Sequence, residues 1–325
     1  MNRIVKRCSV LVAGVAAAGA LSSCGSSKPP NYPTGAIEQK YYATGPWAVT
    51  VSLGGACCDS AQPPNKFDLY YPTQLGANGF KHPILTWGNG SFGSSSLYTY
   101  YLKHIASWGF VVIATQDSQT GPGQTVLDGA NFLKNANNDP HSPFYQKLNV
   151  NEIGSFGHSQ GTGGALNALI KSAGLIKTVV AIEIPAQIWC FGGANCPNTT
   201  QMTSGSIFLI DGSADGLISP ETQPLPISVQ GEQSVDGYYQ ATPNQIMKLK
   251  GSLKGPNHND IQGQPDCKPV PVGCANGVYG YLGYTTAWFM FQLQGDSYAH
   301  GAFVDPTGEM FSETKNWERV ASNVT

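Results

Sequence analysis

Charge is scarce in this sequence. Charged residues occupy 12% of its 325 positions, and the formal net charge is only −2. Proteins that bind nucleic acid carry a basic patch or stripe that neutralises the phosphate backbone, and no stretch of this chain has that composition. The sequence therefore disfavours nucleic acid as a partner.

Metal-ligand spacings and internal repeats are also missing. No two cysteines follow a C-x-x-C spacing and no two histidines follow H-x-x-x-H, so the sequence does not predict a structural zinc site. No repeat period is visible along the chain. Apolar residues nevertheless reach 41%, which is enough for one substantial hydrophobic core.

The sequence has no apolar run long enough to cross a bilayer comfortably. The run at residues 10–21 is too short for a transmembrane helix, and it follows the basic residues Arg3, Lys6 and Arg7. A positive segment followed by a short apolar segment is typical of a signal peptide. We therefore expect residues 1–23 to direct export.

Two cleavage patterns lie at the end of this apolar run. Residues 21–24, L-S-S-C, resemble the lipobox of bacterial lipoproteins, although Ser23 stands where that pattern more often has Gly or Ala. The resemblance implies a lipid on Cys24 and attachment to a membrane. Ala18 and Ala20 also fit the small-x-small rule for ordinary secretion. The expected location is therefore the cell envelope, as a lipoprotein, or the exterior as a secreted protein.

Six cysteines remain beyond the export segment, and exported proteins form disulfides. Short intervals rich in Gly or Pro predict two local pairs, one between the third and fourth of these cysteines and one between the fifth and sixth. The first two would then bond to each other or stay free, and other pairings remain open. The six are Cys57, Cys58, Cys190, Cys196, Cys267 and Cys274.

Strand-like and helix-like patterns alternate along most of the chain. Residues 24–34, rich in Ser, Lys and Pro, are expected to form a tether. Residues 35–325 show no break in composition, which predicts one catalytic domain of the α/β class. We expect an antiparallel start, a mainly parallel central sheet and helices on both faces. The predicted strands are residues 47–53, 67–71, 84–87, 110–114, 153–156, 178–184, 206–210 and 245–249; the predicted helices are residues 98–105, 126–133, 165–170 and 285–293.

A G-x-S-x-G motif, G-H-S-Q-G at residues 157–161, lies between a predicted strand and a predicted helix. Strand, tight turn and helix in this order form a nucleophile elbow, which exposes the hydroxyl of the central serine, here Ser159. Because the chain has 39 glycines, the motif alone is weak. Its meaning depends on the residues that follow it.

A serine nucleophile needs a base to take its proton and an acid to orient that base. On this fold type the three residues follow the order Ser, Asp or Glu, His. Two histidines lie downstream, and His258, in a turn-forming loop after a strand, is preferred over His300. For the acid, Asp215 lies past the end of a predicted strand and is preferred over Asp211, which can bond to its own turn. The predicted triad is Ser159, Asp215 and His258.

These motifs, taken in order, resemble the α/β-hydrolase superfamily. The segments at residues 82–90, H-P-I-L-T-W-G-N-G, and 106–112, A-S-W-G-F-V-V, are similar to exported esterases related to dienelactone hydrolases, chlorophyllases and bacterial cutinase-like polyester hydrolases. The resemblance covers most of residues 47–296. It implies an α/β-hydrolase fold and a serine carboxylic ester hydrolase that forms an acyl-enzyme, needs no cofactor and acts on esters that include polyesters and lipid-like esters.

The resemblance also implies further site residues. Two backbone N–H groups, of Gln160 and of Asn89, would form the oxyanion hole, with Gly90 as the alternative to Asn89. Trp189 matches an aromatic substrate-binding residue of polyester hydrolases; the alternative is a packing role, which is common for tryptophan. Polyester hydrolases have an aromatic residue at the position of Asn89. This difference weakens the expectation of polymer hydrolysis and leaves ester hydrolysis unaffected.

Two other functions compete with this interpretation. Residues 88–93, G-N-G-S-F-G, match a dinucleotide fingerprint, with Asp117 after the next strand, but the following helix begins too late to hold a pyrophosphate at its N-terminus. The second alternative is a non-enzymatic surface lipoprotein that uses the fold as a binding module. The ordered set of triad candidates argues against it. The oligomeric state stays open.

Overall fold

The computed structural model describes residues 29–190, 196–223, 232–268, 270 and 272–325. The predicted export segment and Cys24 lie outside these residues. Within the described ranges, no helix is both long and apolar enough to span a membrane.

Nine strands form one sheet within the described part of the chain, and eight α-helices pack around it. The strands are β1 (Val49–Cys57), β2 (Lys66–Pro72), β3 (His82–Gly88), β4 (Val111–Thr115), β5 (Leu148–His158), β6 (Ile176–Ile182), β7 (Ser206–Gly212), β8 (Met247–Leu253) and β9 (Trp317–Ser322). The helices are α1 (Ala36–Tyr42), α2 (Thr99–Ser107), α3 (Gln124–Ala136), α4 (Gln160–Lys171), α5 (Val235–Ala241), α6 (Gly283–Gln294), α7 (Ser297–His300) and α8 (Glu309–Ser312).

The strand order in the sheet is β1-β2-β4-β3-β5-β6-β7-β8-β9. The six strands from β4 to β8 in this order are parallel to one another. β1 and β2 pair antiparallel at one edge, and β9 pairs antiparallel with β8 at the other. Parallel strands covered on both faces are continuously apolar, as in β4, where all five residues are buried. The predicted α/β class and mainly parallel sheet are confirmed.

Two hydrophobic clusters cover the two faces of the sheet. Neighbouring residues of a strand point to opposite faces, so Leu85 and Trp87 of β3 join one cluster and Ile84 joins the other. Helices α1, α2 and α6 contribute to the first cluster, and α3, α4 and α5 to the second. Examples are Tyr41, Tyr101 and Trp288 in the first, and Leu133, Leu166 and Tyr238 in the second.

The elements that the sequence did not predict are all short: helices α1, α5, α7 and α8 and strand β9. Strand β9 lies at the edge of the sheet and carries two charged residues, Glu318 and Arg319, which an exposed edge strand tolerates. The end of the predicted tether contacts the domain: the Asn31 side chain donates to the Lys254 carbonyl at 2.8 Å and accepts from Asn276 at 2.8 Å.

The cysteines follow the predicted pairing only in part. Cys267 and Cys274 form a disulfide, and Cys57 and Cys58 are bonded to each other. The predicted Cys190–Cys196 disulfide is not formed, and both residues are free thiols. The Cys196 thiol instead lies 3.5 Å from the backbone oxygen of Cys190, which is the geometry of an S–H···O contact.

Candidate active site

Ser159 occupies a sharp turn between β5 and α4. Its backbone has φ 55° and ψ −128°, a conformation that costs energy for a residue with a side chain and recurs at functional sites. The flanking glycines are required by close packing: a Cβ at Gly157 would clash with the Gly161 backbone, and one at Gly161 would clash with the Gly88 carbonyl. The G-H-S-Q-G segment therefore brings strand and helix together and leaves the serine at the turn.

The structure brings Ser159, His258 and Asp215 into hydrogen-bonding contact. His258 Nε2 lies 3.0 Å from Ser159 Oγ, and His258 Nδ1 lies 2.5 Å from Asp215 Oδ2. Because a carboxylate only accepts, Nδ1 carries the proton and Nε2 is free to accept from the serine hydroxyl. The three residues follow the ends of β5, β7 and β8, which reach the same edge of the parallel sheet.

The two aspartates that follow the β7 apolar run have different environments. Burial alone would raise the pKa of Asp215, but the hydrogen bonds from His258 and from the Ile218 backbone outweigh it and lower that pKa. Asp211 bonds to Ser252 Oγ at 3.0 Å, and burial raises its pKa to about 8. Asp215 is therefore ionised at neutral pH. Asp211 is mainly protonated, and its side chain bonds to Ser252 and not to His258.

A buried carboxylate organises the loop that carries His258. Asp260 is fully buried, and its side chain accepts hydrogen bonds from four backbone N–H groups of the same loop. The Cys267–Cys274 disulfide closes that loop. Together they fix the backbone within two residues of His258. The four donors are the N–H groups of Asn257, Ala275, Asn276 and Gly277.

His158, within the elbow motif, is a residue whose role the sequence did not indicate. Its Nε2–H donates to the His258 carbonyl oxygen at 2.7 Å, so Nδ1 accepts from the Tyr98 hydroxyl at 2.9 Å. Burial and the neighbouring His258 lower the pKa of His158 well below its usual value, which keeps the ring neutral. The Gly90 N–H donates to the same tyrosine oxygen at 3.1 Å. His158 thus ties the His258 loop to the loop after β3.

The predicted oxyanion donors lie on two segments beside Ser159. Gln160 begins α4 and lines the cavity described below, where the N–H groups of a helix N-terminus attract negative charge. Asn89 is fully buried, and its side chain bonds to Trp87 Nε1 at 2.9 Å and to the Thr115 carbonyl at 2.7 Å. The alternative donor, the Gly90 N–H, is already bonded to a tyrosine. The role of the Asn89 N–H stays a prediction.

A cavity of about 590 Å³ opens at Ser159. Exposed apolar side chains surround it: Phe92 is 88% exposed, Leu217 70% and Trp189 39%. The Trp189 indole N–H donates to the Leu217 carbonyl at 2.9 Å, which fixes the ring to the neighbouring loop. Trp189 therefore lies at the cavity and not in the core. The lining also includes Gln119, His158, Gln160, Pro185, Pro197, Ile218 and His258.

The rejected candidates lie in other environments. The His300 ring lies 4.6 Å from the Phe291 ring, and its Nε2 contacts the Thr325 carbonyl. The G-N-G-S-F-G segment at residues 88–93 lines the cavity of Ser159 in part, and the next α-helix begins only at Thr99. This segment therefore does not place a helix N-terminus where a pyrophosphate needs it.

Two side-chain groups within the described residues have the spacing of metal ligands. One consists of Glu183, Asp215 and His258, in which the aspartate and histidine already bond to each other. The other combines Asp260 with Cys267 and Cys274, whose sulfurs are joined in a disulfide and do not offer the thiolates that zinc binds.

Neither a protein-family model nor a curated protein matches the chain.

Proposed function

We propose that this chain is a serine carboxylic ester hydrolase with an α/β-hydrolase catalytic domain. The observation that carries the proposal is the unbroken hydrogen-bonded line from Asp215 through His258 to Ser159, which ends at an open apolar cavity. The mainly parallel sheet and the strained serine turn support the same assignment. They are the parts from which this class of enzyme builds its nucleophile.

Each residue then has one chemical task. Ser159 Oγ attacks the ester carbonyl carbon while His258 Nε2 takes the hydroxyl proton, and the histidine returns that proton to the leaving alcohol. Asp215 keeps the proton of the imidazole on Nδ1. The backbone N–H groups of Gln160 and Asn89 stabilise the tetrahedral oxyanion, each by about 3 kcal/mol. Water resolves the acyl-enzyme by the same steps and releases the acid.

The surroundings of the cavity support apolar esters as substrates. Phe92, Trp189 and Leu217 offer apolar surface at the edge of the site, whereas none of the described residues that line it is Lys or Arg. Lipid-like esters and polyesters fit this chemistry. Two disulfides among the described cysteines are consistent with an exported protein, and we propose that Cys24 is the site of a lipid anchor.

Turnover of p-nitrophenyl acetate and p-nitrophenyl butyrate tests the proposal. The Ser159→Ala variant is expected to lose at least about 1,000-fold in kcat, because the nucleophile is gone. Ser91→Ala, at another serine that lines the cavity, is the matched control and is expected to keep its activity. Unchanged turnover in Ser159→Ala would rule out the mechanism.

A fluorophosphonate probe separates the enzyme from a non-enzymatic binding module. The probe is expected to label the folded wild-type protein on the peptide that contains Ser159 and to leave Ser159→Ala unlabelled. If the folded wild type resists the probe and turns over neither ester, the binding module is the better account.

A further inference from the structure

Glu183 is a fully buried acid next to the triad. It directly follows β6, and its Oε1 accepts a hydrogen bond from the Tyr281 hydroxyl at 2.5 Å. Among the residues that the structure describes, no donor faces its second oxygen, Oε2. One oxygen of Glu183, one of Asp215 and a ring nitrogen of His258 all lie within 4.8 Å of one another.

The carboxyl groups of Glu183 and Asp215 lie close together, with one oxygen of each within 4.8 Å of the other. Two ionised carboxylates only accept, so the two groups can hydrogen-bond to each other only if one of them carries a proton. Two buried carboxylates at this distance also repel each other if both are ionised. The site therefore favours a proton on one of the two groups.

The surroundings assign that proton to Glu183. Asp215 accepts from His258 and from the backbone N–H groups of Ile218 and Ser219, and these donors favour its ionised form. The titratable groups that face Glu183 are Asp211, Asp215, His258 and Tyr281, and none of them is a permanent cation. Burial and the two aspartates raise the pKa of Glu183 well above its usual value.

We propose that Glu183 is a neutral positioning residue that donates its carboxylic proton to Asp215 and holds this carboxylate against His258. Tyr281 fixes the acid from its other side by donating to Oε1. The proposal rests on the ester hydrolase function argued above. It adds a fourth residue, which does not touch the substrate and acts through Asp215.

Two variants of Glu183 separate hydrogen-bond donation from simple filling of space. In Glu183→Gln the amide keeps a donor for Asp215 and an acceptor for Tyr281, and we expect kcat to stay within about threefold. In Glu183→Leu the volume is kept and the donor is lost. We expect kcat for p-nitrophenyl butyrate to fall at least about tenfold with KM within about twofold, because a loosened Asp215 no longer orients His258.

The pH dependence of kcat/KM tests the charge of Glu183 directly. If Glu183 is neutral, Glu183→Gln changes no charge, and the midpoint of the acidic limb stays within about 0.3 pH unit of the wild type. If Glu183 is ionised, the same substitution removes a negative charge beside the base and moves the midpoint down by about one unit or more. A shift of that size overturns the proposal, and this readout needs only the glutamine variant.

A matched control is Glu38→Gln. Glu38 is the same residue type, equally buried, and bonded to Trp317 Nε1 away from the triad. We expect this variant to leave kcat and the acidic limb unchanged. If Glu183→Gln and Glu183→Leu lose equal activity while both still react with a fluorophosphonate, Glu183 is merely structural; if the wild type itself neither reacts nor hydrolyses esters, it is the proposed function that fails.

Discussion

Two loops that carry cysteines border the same cavity and differ in how they are held. The His258 loop (residues 254–277) has a disulfide and the buried Asp260, which takes four backbone N–H groups. The Trp189 loop (residues 186–198, of which 191–195 lie outside the description) has two free thiols and exposes Ile188 by 50% and Trp189 by 39%. A catalytic base must be held within a fraction of an ångström, whereas apolar surface that meets a substrate needs exposure more than rigidity.

Among changes to these two loops, the largest expected effect comes from removing the anchor of the His258 loop. In Asp260→Asn an amide NH₂ replaces one acceptor oxygen and faces backbone donors that are left unbonded. Because a base displaced by about 1 Å can cost about 100-fold in rate, we expect kcat/KM for p-nitrophenyl butyrate to fall by about that factor. Steady-state kinetics on folded protein measure the loss.

Asp266→Asn is the matched control for this prediction. Asp266 lies on the same loop, but its side chain is exposed and pairs with Lys268 at 3.1 Å. We expect its kinetics to equal those of the wild type. Equal losses in the two variants would mean that the loop responds to total charge and not to the buried hydrogen bonds.

The disulfide of the His258 loop is expected to have the next largest effect, on stability. Opening Cys267–Cys274 by double substitution to Ser releases a short loop in the unfolded chain, which costs about 2 kcal/mol and lowers Tm by about 4 °C. Activity falls less than in Asp260→Asn, because the carboxylate still holds the loop. The Cys190→Ser/Cys196→Ser variant breaks no covalent bond, and its Tm is expected to match that of the wild type. If this variant loses more Tm than the variant without the Cys267–Cys274 disulfide, the Trp189 loop is the more firmly held of the two.

The contact among Ser159, Asp215 and His258 was predictable from the sequence, and the residues packed around them were not. Ser159, Asp215 and His258 each follow an apolar strand, and parallel strands bring their carboxyl ends to one edge, so order along the chain predicts proximity. His158 and Glu183 are held by hydrogen bonds from residues that are distant in sequence, Tyr98 and Tyr281. A buried polar side chain carries no local pattern that identifies its partner, which only packing decides.

The short elements of the fold escaped prediction for a related reason. Strand β9 and helix α5 are short, and neither has the long periodic apolar pattern that identifies the central elements. β9 forms because β8 offers an unpaired edge, which is a property of the sheet and not of the β9 segment. The core strands needed no such context, since their continuous apolar runs already predict burial on both faces.

Trp189 provides a smaller effect that depends on the substrate. Trp189→Ala removes exposed apolar surface at the cavity, and we expect hydrolysis of a polyester film to fall about tenfold, equivalent to about 1.4 kcal/mol of lost contact. Turnover of p-nitrophenyl acetate, which is too small to need this surface, is expected to stay within about twofold. Trp189→Phe keeps an aromatic ring and is expected to retain most film activity. Equal losses on both substrates would assign Trp189 to packing.

The smallest effect concerns the thiols of the Trp189 loop. Burial is the main cause of a raised pKa at the Cys190 thiol, and the contact with Cys196 raises it further. Only a thiolate reacts readily with iodoacetamide. We therefore expect slow alkylation of Cys190 at pH 7, with a rate that rises about tenfold per pH unit and continues to rise beyond about pH 8.5, where an ordinary cysteine levels off.

Peptide mapping of the unreduced protein measures this rate at Cys190 separately from the other cysteines, with glutathione alkylated in parallel as the reference thiol. Cys267 and Cys274 are expected to react only after reduction, because their disulfide protects them. If Cys190 is instead recovered in a disulfide with Cys196, both loops are covalently closed. The two loops would then differ only in their buried hydrogen bonds, and Asp260 alone would account for the more firmly held base.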